Sequence, residues 1–194
     1  MKRNFFSWIT VASMVLMCAF VACDNDDDSS DSGKKGSAEM GTISASLNYG
    51  FYYIEDGACV LDFSNYNLNN PTSVPSSFDD LMISFKTNVK EGVPTGSFDT
   101  FGVSFSRTKM SSNMTNPEIT SYWGYCYPGD STGVKLNISK DGSNYSVKYS
   151  GLDLYSGTYV DGYYKTDTIK NTSFSFEGKI ELLEDLDDYD DDDE

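Results

Sequence analysis

The stretch KLNISKDGSNYSVKYSG, residues 135–151, decides the fold. Leu136 and Ile138 alternate with asparagine and serine, and Val147 and Tyr149 resume the alternation after the break. A period of two is the signature of a strand with one dry face. Between the two runs stand Lys140, Asp141, Gly142, Ser143 and Asn144, where Asp-Gly supplies the positive φ of a tight hairpin turn. Two antiparallel strands are therefore expected here, joined almost without a loop.

The same period recurs outward from the hairpin. Ile43, Ala45, Leu47 and Tyr49 alternate with small or polar residues. So do Cys59, Leu61 and Phe63, then Leu81, Ile83 and Phe85, then Phe101, Val103 and Phe105. Ile119, Ser121, Trp123, Tyr125 and Tyr127 share one face of another run. Phe174, Phe176, Gly178, Ile180 and Leu182 alternate with Ser175, Glu177, Lys179 and Glu181, as in an antiparallel sheet with one wet face. No stretch between residues 40 and 183 carries a 3.6-residue period. The expectation is one all-β domain over 40–183, a single antiparallel β-sandwich, with a lipocalin-like meander β-barrel as the alternative. The segment SNYNLNNPTSVPSSFDD, residues 64–80, is expected to hold the longest loop.

The chain starts with basic residues Lys2 and Arg3, followed by the uncharged run FFSWITVASMVLMCAFVA, residues 5–22. A basic start, an apolar middle and a small residue before a break predict a secretory signal peptide over 1–22. An uncleaved anchor is the other reading, since eighteen apolar-biased residues reach the lower limit of a span. Phe20-Val21-Ala22-Cys23 resembles the bacterial lipobox, although Phe20 replaces the usual aliphatic residue. The resemblance implies lipidation at Cys23, where two or three acyl chains, palmitate among them, would hold the protein to a membrane.

Acid follows Cys23 at once, as DNDDDSSDSGKKGS. The EF-hand pattern fails, because Ser29 and Lys35 stand where it needs glycine and glutamate. With little to bury, residues 23–39 are expected to form a disordered tether. Asp24, Asp26, Asp27 and Asp28 resemble the surface-export signal of Bacteroidetes lipoproteins, which implies an outer-membrane protein facing outward. In enterobacterial lipoproteins an aspartate after the cysteine implies inner-membrane retention instead. Asp130-Ser131-Thr132 and Asp167-Thr168-Ile169 resemble the O-glycosylation motif of the same phylum, with Ser131 and Thr168 as acceptors. The hairpin, VPTGSF before it and FSFEGKI after it also resemble small Bacteroidetes surface lipoproteins, a likeness that lends no catalytic residue.

The formal charge is −16, unevenly spread. Residues 24–39 hold six acids and two lysines, and the tail 184–194 holds nine acids and no base. The tail is expected to be a solvated, disordered end. No basic stripe exists, so nucleic acid is not an expected partner. The chain has no histidine, which removes His-based nucleophilic systems and the common zinc ligand sets. No glycine-rich phosphate loop appears, and neither a metal nor a cofactor is expected. Asp79, Asp80, Glu118 and Asp153 are candidate carboxylates for glycoside hydrolysis, but sequence selects no pair among them. The expected role is non-enzymatic.

Cys59 and Cys126 remain after lipidation, and an exported compartment permits a disulfide between them. Two buried, unpaired thiols are the alternative. Aromatic residues are dense at 49–53, 122–127 and 155–164. Rings with polar handles suit sugar or protein surfaces, yet tyrosine also simply favours strands. The candidate binding patch is Trp123, Tyr125 and Tyr127. The expected function is binding a glycan or a protein, or serving as an accessory subunit of an outer-membrane complex, with glycan capture as the specific version. A structural or pilus-associated surface module is the alternative, and a carboxylate-dependent glycan hydrolase is the lesser one.

Overall fold

The computed structural model describes residues 36–70, 75–109, 118–129, 133–160 and 163–183. Twelve strands and no helix lie among them: β1 Gly36–Met40, β2 Ile43–Leu47, β3 Tyr49–Glu55, β4 Ala58–Ser64, β5 Ser77–Lys86, β6 Gly96–Phe98, β7 Phe101–Lys109, β8 Glu118–Cys126, β9 Leu136–Asp141, β10 Asn144–Val160, β11 Tyr163–Gly178 and β12 Glu181–Leu182. The protein is all-β. The quoted hairpin forms as expected: Asp141 pairs with Asn144 across a turn that holds Gly142 at a φ of 59°.

The strands make one hydrogen-bonded sheet in the order β12-β3-β4-β5-β7-β8-β10-β11-β1-β2, with β6 and β9 branching from β10. All ladders are antiparallel except β12 on β3. The sheet curls into a half-barrel around one core. The Phe63 ring of β4 lies 4.7 Å from that of Phe174 and 4.8 Å from that of Phe176, both on β11. Cys59, Leu61, Leu81, Ile83, Phe85, Phe101, Val103 and Phe105 fill one wall of this core, each from its expected alternation.

The two ends of the sheet order are joined by the chain itself. β2 pairs with β1, and after Asn48 alone the same run, now β3, pairs with β4. The Asn48 N–H donates to Ser64 O at 2.8 Å, so the run changes partner without losing its ladder. Arg107 ties the seam from the side. Its Nε and Nη2 donate to Asp79 Oδ1 and Oδ2 at 2.6 and 2.7 Å, and Nη2 also reaches Ser44 O of β2 at 3.0 Å.

Three expectations need correction. Gly36–Met40 form β1, although they lie inside the expected tether, because Ala38 and Met40 enter the core while β11 and β2 hold their backbone from either side. Cys59 and Cys126 do not pair. They lie on β4 and β8 with β5 and β7 between them, three strand spacings or roughly 14 Å apart, beyond the reach of a disulfide. Leu182 is not on the dry face. β11 stops at Gly178, Ile180 tucks into the core, and β12 then lies parallel to β3 with Leu182 exposed. Among the described residues no helix is long and apolar enough to cross a membrane.

Candidate functional site: an aromatic platform on the outer face

β8 sets the site through its alternation. Phe105 pairs with Tyr122, Val103 with Gly124 and Phe101 with Cys126, so these β8 residues turn toward the core. Trp123 and Tyr125 then turn outward. Gly124 fits this crossing because a Cβ there would meet Asp153 O at 2.4 Å and Leu154 Cδ2 at 2.7 Å. The close approach brings β10 beside β8 and pairs Tyr155 with Trp123.

Four rings therefore share one outer face. Trp123 and Tyr125 are half-buried, Tyr155 is 42% exposed and Tyr127 is 58% exposed. Tyr125 and Tyr127 stack with centroids 5.9 Å apart and planes 27° apart. A Cβ on Gly102 would lie 3.2 Å from both Tyr125 Cε1 and Ser84 Oγ, which places the Tyr125 ring across the bare backbone of β7. Burial, and then neighbouring Tyr127, push the Tyr125 phenol well above its ordinary range, so it stays a neutral donor. Beside the rings, Ser104 and Ser106 give β7 a low polar surface on the same face.

Farther along this face lies a buried carboxyl pair, Asp62 of β4 and Asp80 of β5. Asp62 is 7% exposed and Asp80 6%, and each leaves its Oδ1 with no donor. Burial pushes both carboxyls up. Asp80 is raised further by the charge and hydrogen bond of Asp62, whereas the same bond lowers Asp62. The hydrogen bond between the two carboxyls needs a proton on one of them as its donor. Tyr53 on β3 is pushed up to about 12 by burial and then by Asp62, Glu55 and Asp80.

The three candidate rings of the sequence, Trp123, Tyr125 and Tyr127, thus come together, and Tyr155 joins them across a ladder that sequence spacing does not reveal. The candidate hydrolytic carboxylates disperse. Asp79 is held by Arg107, whereas the next residue, Asp80, points to the opposite face. Asp153 accepts the Asn171 N–H at 3.0 Å and lies 3.8 Å from Lys170 Nζ, and the Glu118 side chain is outside the description. Asp62 was missed because an aspartate amid a buried run gives no sign of its cross-strand neighbour. Thr168 is exposed on β11. Cys23, Asp24, Asp26, Asp27, Asp28 and Ser131 lie outside the described residues, as does the tail 184–194. No group of three or more His, Cys, Asp or Glu side chains converges on a metal position among the described residues. No protein-family model, curated protein or solved structure matches the chain.

Proposed function

We propose that this is a lipid-anchored protein of the outer-membrane surface whose β domain captures glycan without turning it over. The observation that carries the binding role is the outer-face quartet of Trp123, Tyr125, Tyr127 and Tyr155, two half-buried and two exposed. The other wall of the same strands already fills the core, so these rings are not needed to close it. An aromatic face covers the apolar face of a sugar ring, while serine hydroxyls and phenol groups exchange hydrogen bonds with its rim. The lipobox and the acid run after Cys23 support the surface address.

Trp123 is the only tryptophan once residues 1–22 are removed, so its fluorescence is the direct test. Titration with a panel of oligosaccharides should give a saturable change. Followed by calorimetry, since it removes the fluorophore, Trp123→Ala should weaken binding about tenfold, equivalent to ~1.4 kcal/mol. A flat response to the whole panel, together with a stoichiometric protein partner in pull-downs, would favour the surface-module reading instead. The address is tested separately by protease shaving of intact cells. The domain should be cut, and should be protected until lysis when Asp24, Asp26, Asp27 and Asp28 are changed to alanine.

A further inference from the structure

An open groove of about 780 Å³ lies where β9, β10 and β11 run together, away from the four rings. Lys135, Asn137, Lys148, Ser150, Asn171 and Ser175 line it, and no carboxylate does. Its backbone is unusual. Gly133, Gly151 and Asn171 all line the groove, and all three have positive φ, at 63°, 88° and 55°. The β10–β11 ladder slips register on both sides of Leu152. Asparagine is the side-chain residue that most readily takes a left-handed backbone, as Asn171 does, and such turns and bulges gather at binding sites.

The charge is unusual too. Residues 133–180 carry six lysines and five acids, whereas residues 40–132 carry four bases and nine acids. Lys148 has a partner, Glu177 at 3.3 Å, but both side chains are about half exposed. A pair so solvated exchanges readily for another anion. Lys135 is exposed at the groove. Two ammonium groups with amides and hydroxyls around them make charge-assisted bonds to an anion and ordinary ones to neighbouring hydroxyls.

The outer face of β10 runs from the groove to the platform. Along β10 the outward residues run from Lys148 and Ser150, past the bulge, to Asp153 and Tyr155. Tyr155 stands beside Trp123. Lys148 to Tyr155 spans about 20 Å of strand, room for several linked sugar rings. The one acid on this path, Asp153, is engaged by the Asn171 N–H and faces Lys170.

We infer that the groove is an anion subsite and that the captured glycan is acidic. One carboxylate or sulfate would sit between Lys135 and Lys148, with neutral ring faces on Trp123 and Tyr155. The subsite rests on the glycan reading for its ligand, but its geometry is independent of the platform.

The test is calorimetric titration of the full-length chain in neutral detergent. The probes are oligogalacturonate against its methyl ester, and a sulfated galactan oligomer against its desulfated form. At least one charged probe should bind about tenfold tighter than its uncharged twin, and which one does separates carboxylate from sulfate. K135Q/K148Q should erase that preference, as should salt near ~0.5 M, where charges beyond a few ångströms are screened. Both lysines are exposed, so the variant should fold. Equal affinity within both pairs, no binding of any probe, or a preference that survives K135Q/K148Q would overturn the subsite. Trp123→Ala separates the two ideas. If charge-dependent binding persists undiminished in it, the subsite stands and the platform falls. If binding needs Trp123 but ignores charge, the platform stands and the subsite falls.

Discussion

Asp62 and Asp80 are buried beside each other and share a hydrogen bond that needs a proton on one of them, which makes stability depend on pH. Burial raises the carboxyls in the folded state, while in the unfolded chain they return to about 3.9. The folded state thus keeps a proton that the unfolded state has lost. The pair's contribution is complete below about pH 4 and is lost as pH rises through the raised folded value. Thermal unfolding should therefore fall between mildly acidic and mildly alkaline pH. In Asp80→Asn the amide supplies the missing donor at any pH, so the decline should be shallower than in the wild type. Equal slopes in the two proteins would rule out that proton. Arg107 offers the opposite case, an ion pair fixed by geometry. Arg107→Met strands Asp79, which is only 10% exposed at its side chain, and should cost about 3 kcal/mol in denaturant unfolding. Arg107→Met with Asp79→Leu should cost less than the single change. None of this was legible in the sequence. Asp62, Asp79 and Asp80 look alike there, and only the register decides that Asp79 meets arginine and Asp80 meets another acid.

At the scale of the element the sequence speaks more clearly. The hairpin around Gly142 and the runs of β4, β5 and β7 could be read directly, because large apolar residues at every second position leave a period of two. Reading failed where side chains carry little hydrophobic signal, as in β1, which is built from Gly36, Ser37 and Ala38. The platform lay between these cases. The period put Trp123, Tyr125 and Tyr127 on one face, but only the sheet shows that this face looks outward. Element geometry also fixes the thiols. Cys59 is fully buried and pushed up to about 12 by that burial, and Cys126 donates to Val134 O at 3.3 Å. A thiol-specific reagent should label neither in the native domain and both in urea without any reductant. A reading of zero in urea would restore the disulfide. The left-handed Asn171 gives a further test. Asn171→Gly should be nearly neutral in stability, whereas Asn171→Val, which resists a left-handed backbone, should cost about 1–2 kcal/mol.

Across the whole molecule, every wall depends on strands far apart in sequence. β1 pairs with β11, joining Ser37 to Ser175. Such long-range ladders are slow to form, so folding on a scale of ~milliseconds to seconds is expected. Removal of residues 36–47 would strip Ala38, Met40, Ala45 and Leu47 from the core and bare the edge of β11. That shortened chain should be insoluble or aggregate on refolding, where the complete domain stays monodisperse in size-exclusion chromatography. The order of the strands was beyond the sequence, because periodicity names the faces of a strand and not its neighbours. The same arrangement has a mechanical side. The segment that emerges before Gly36 leads straight into β1, which is gripped along both edges by β11 and β2. Tension drawn through that segment meets two ladders in shear, not one ladder peeled bond by bond. A domain tugged by flow or by a bulky ligand would thus take the load where its backbone is held most firmly.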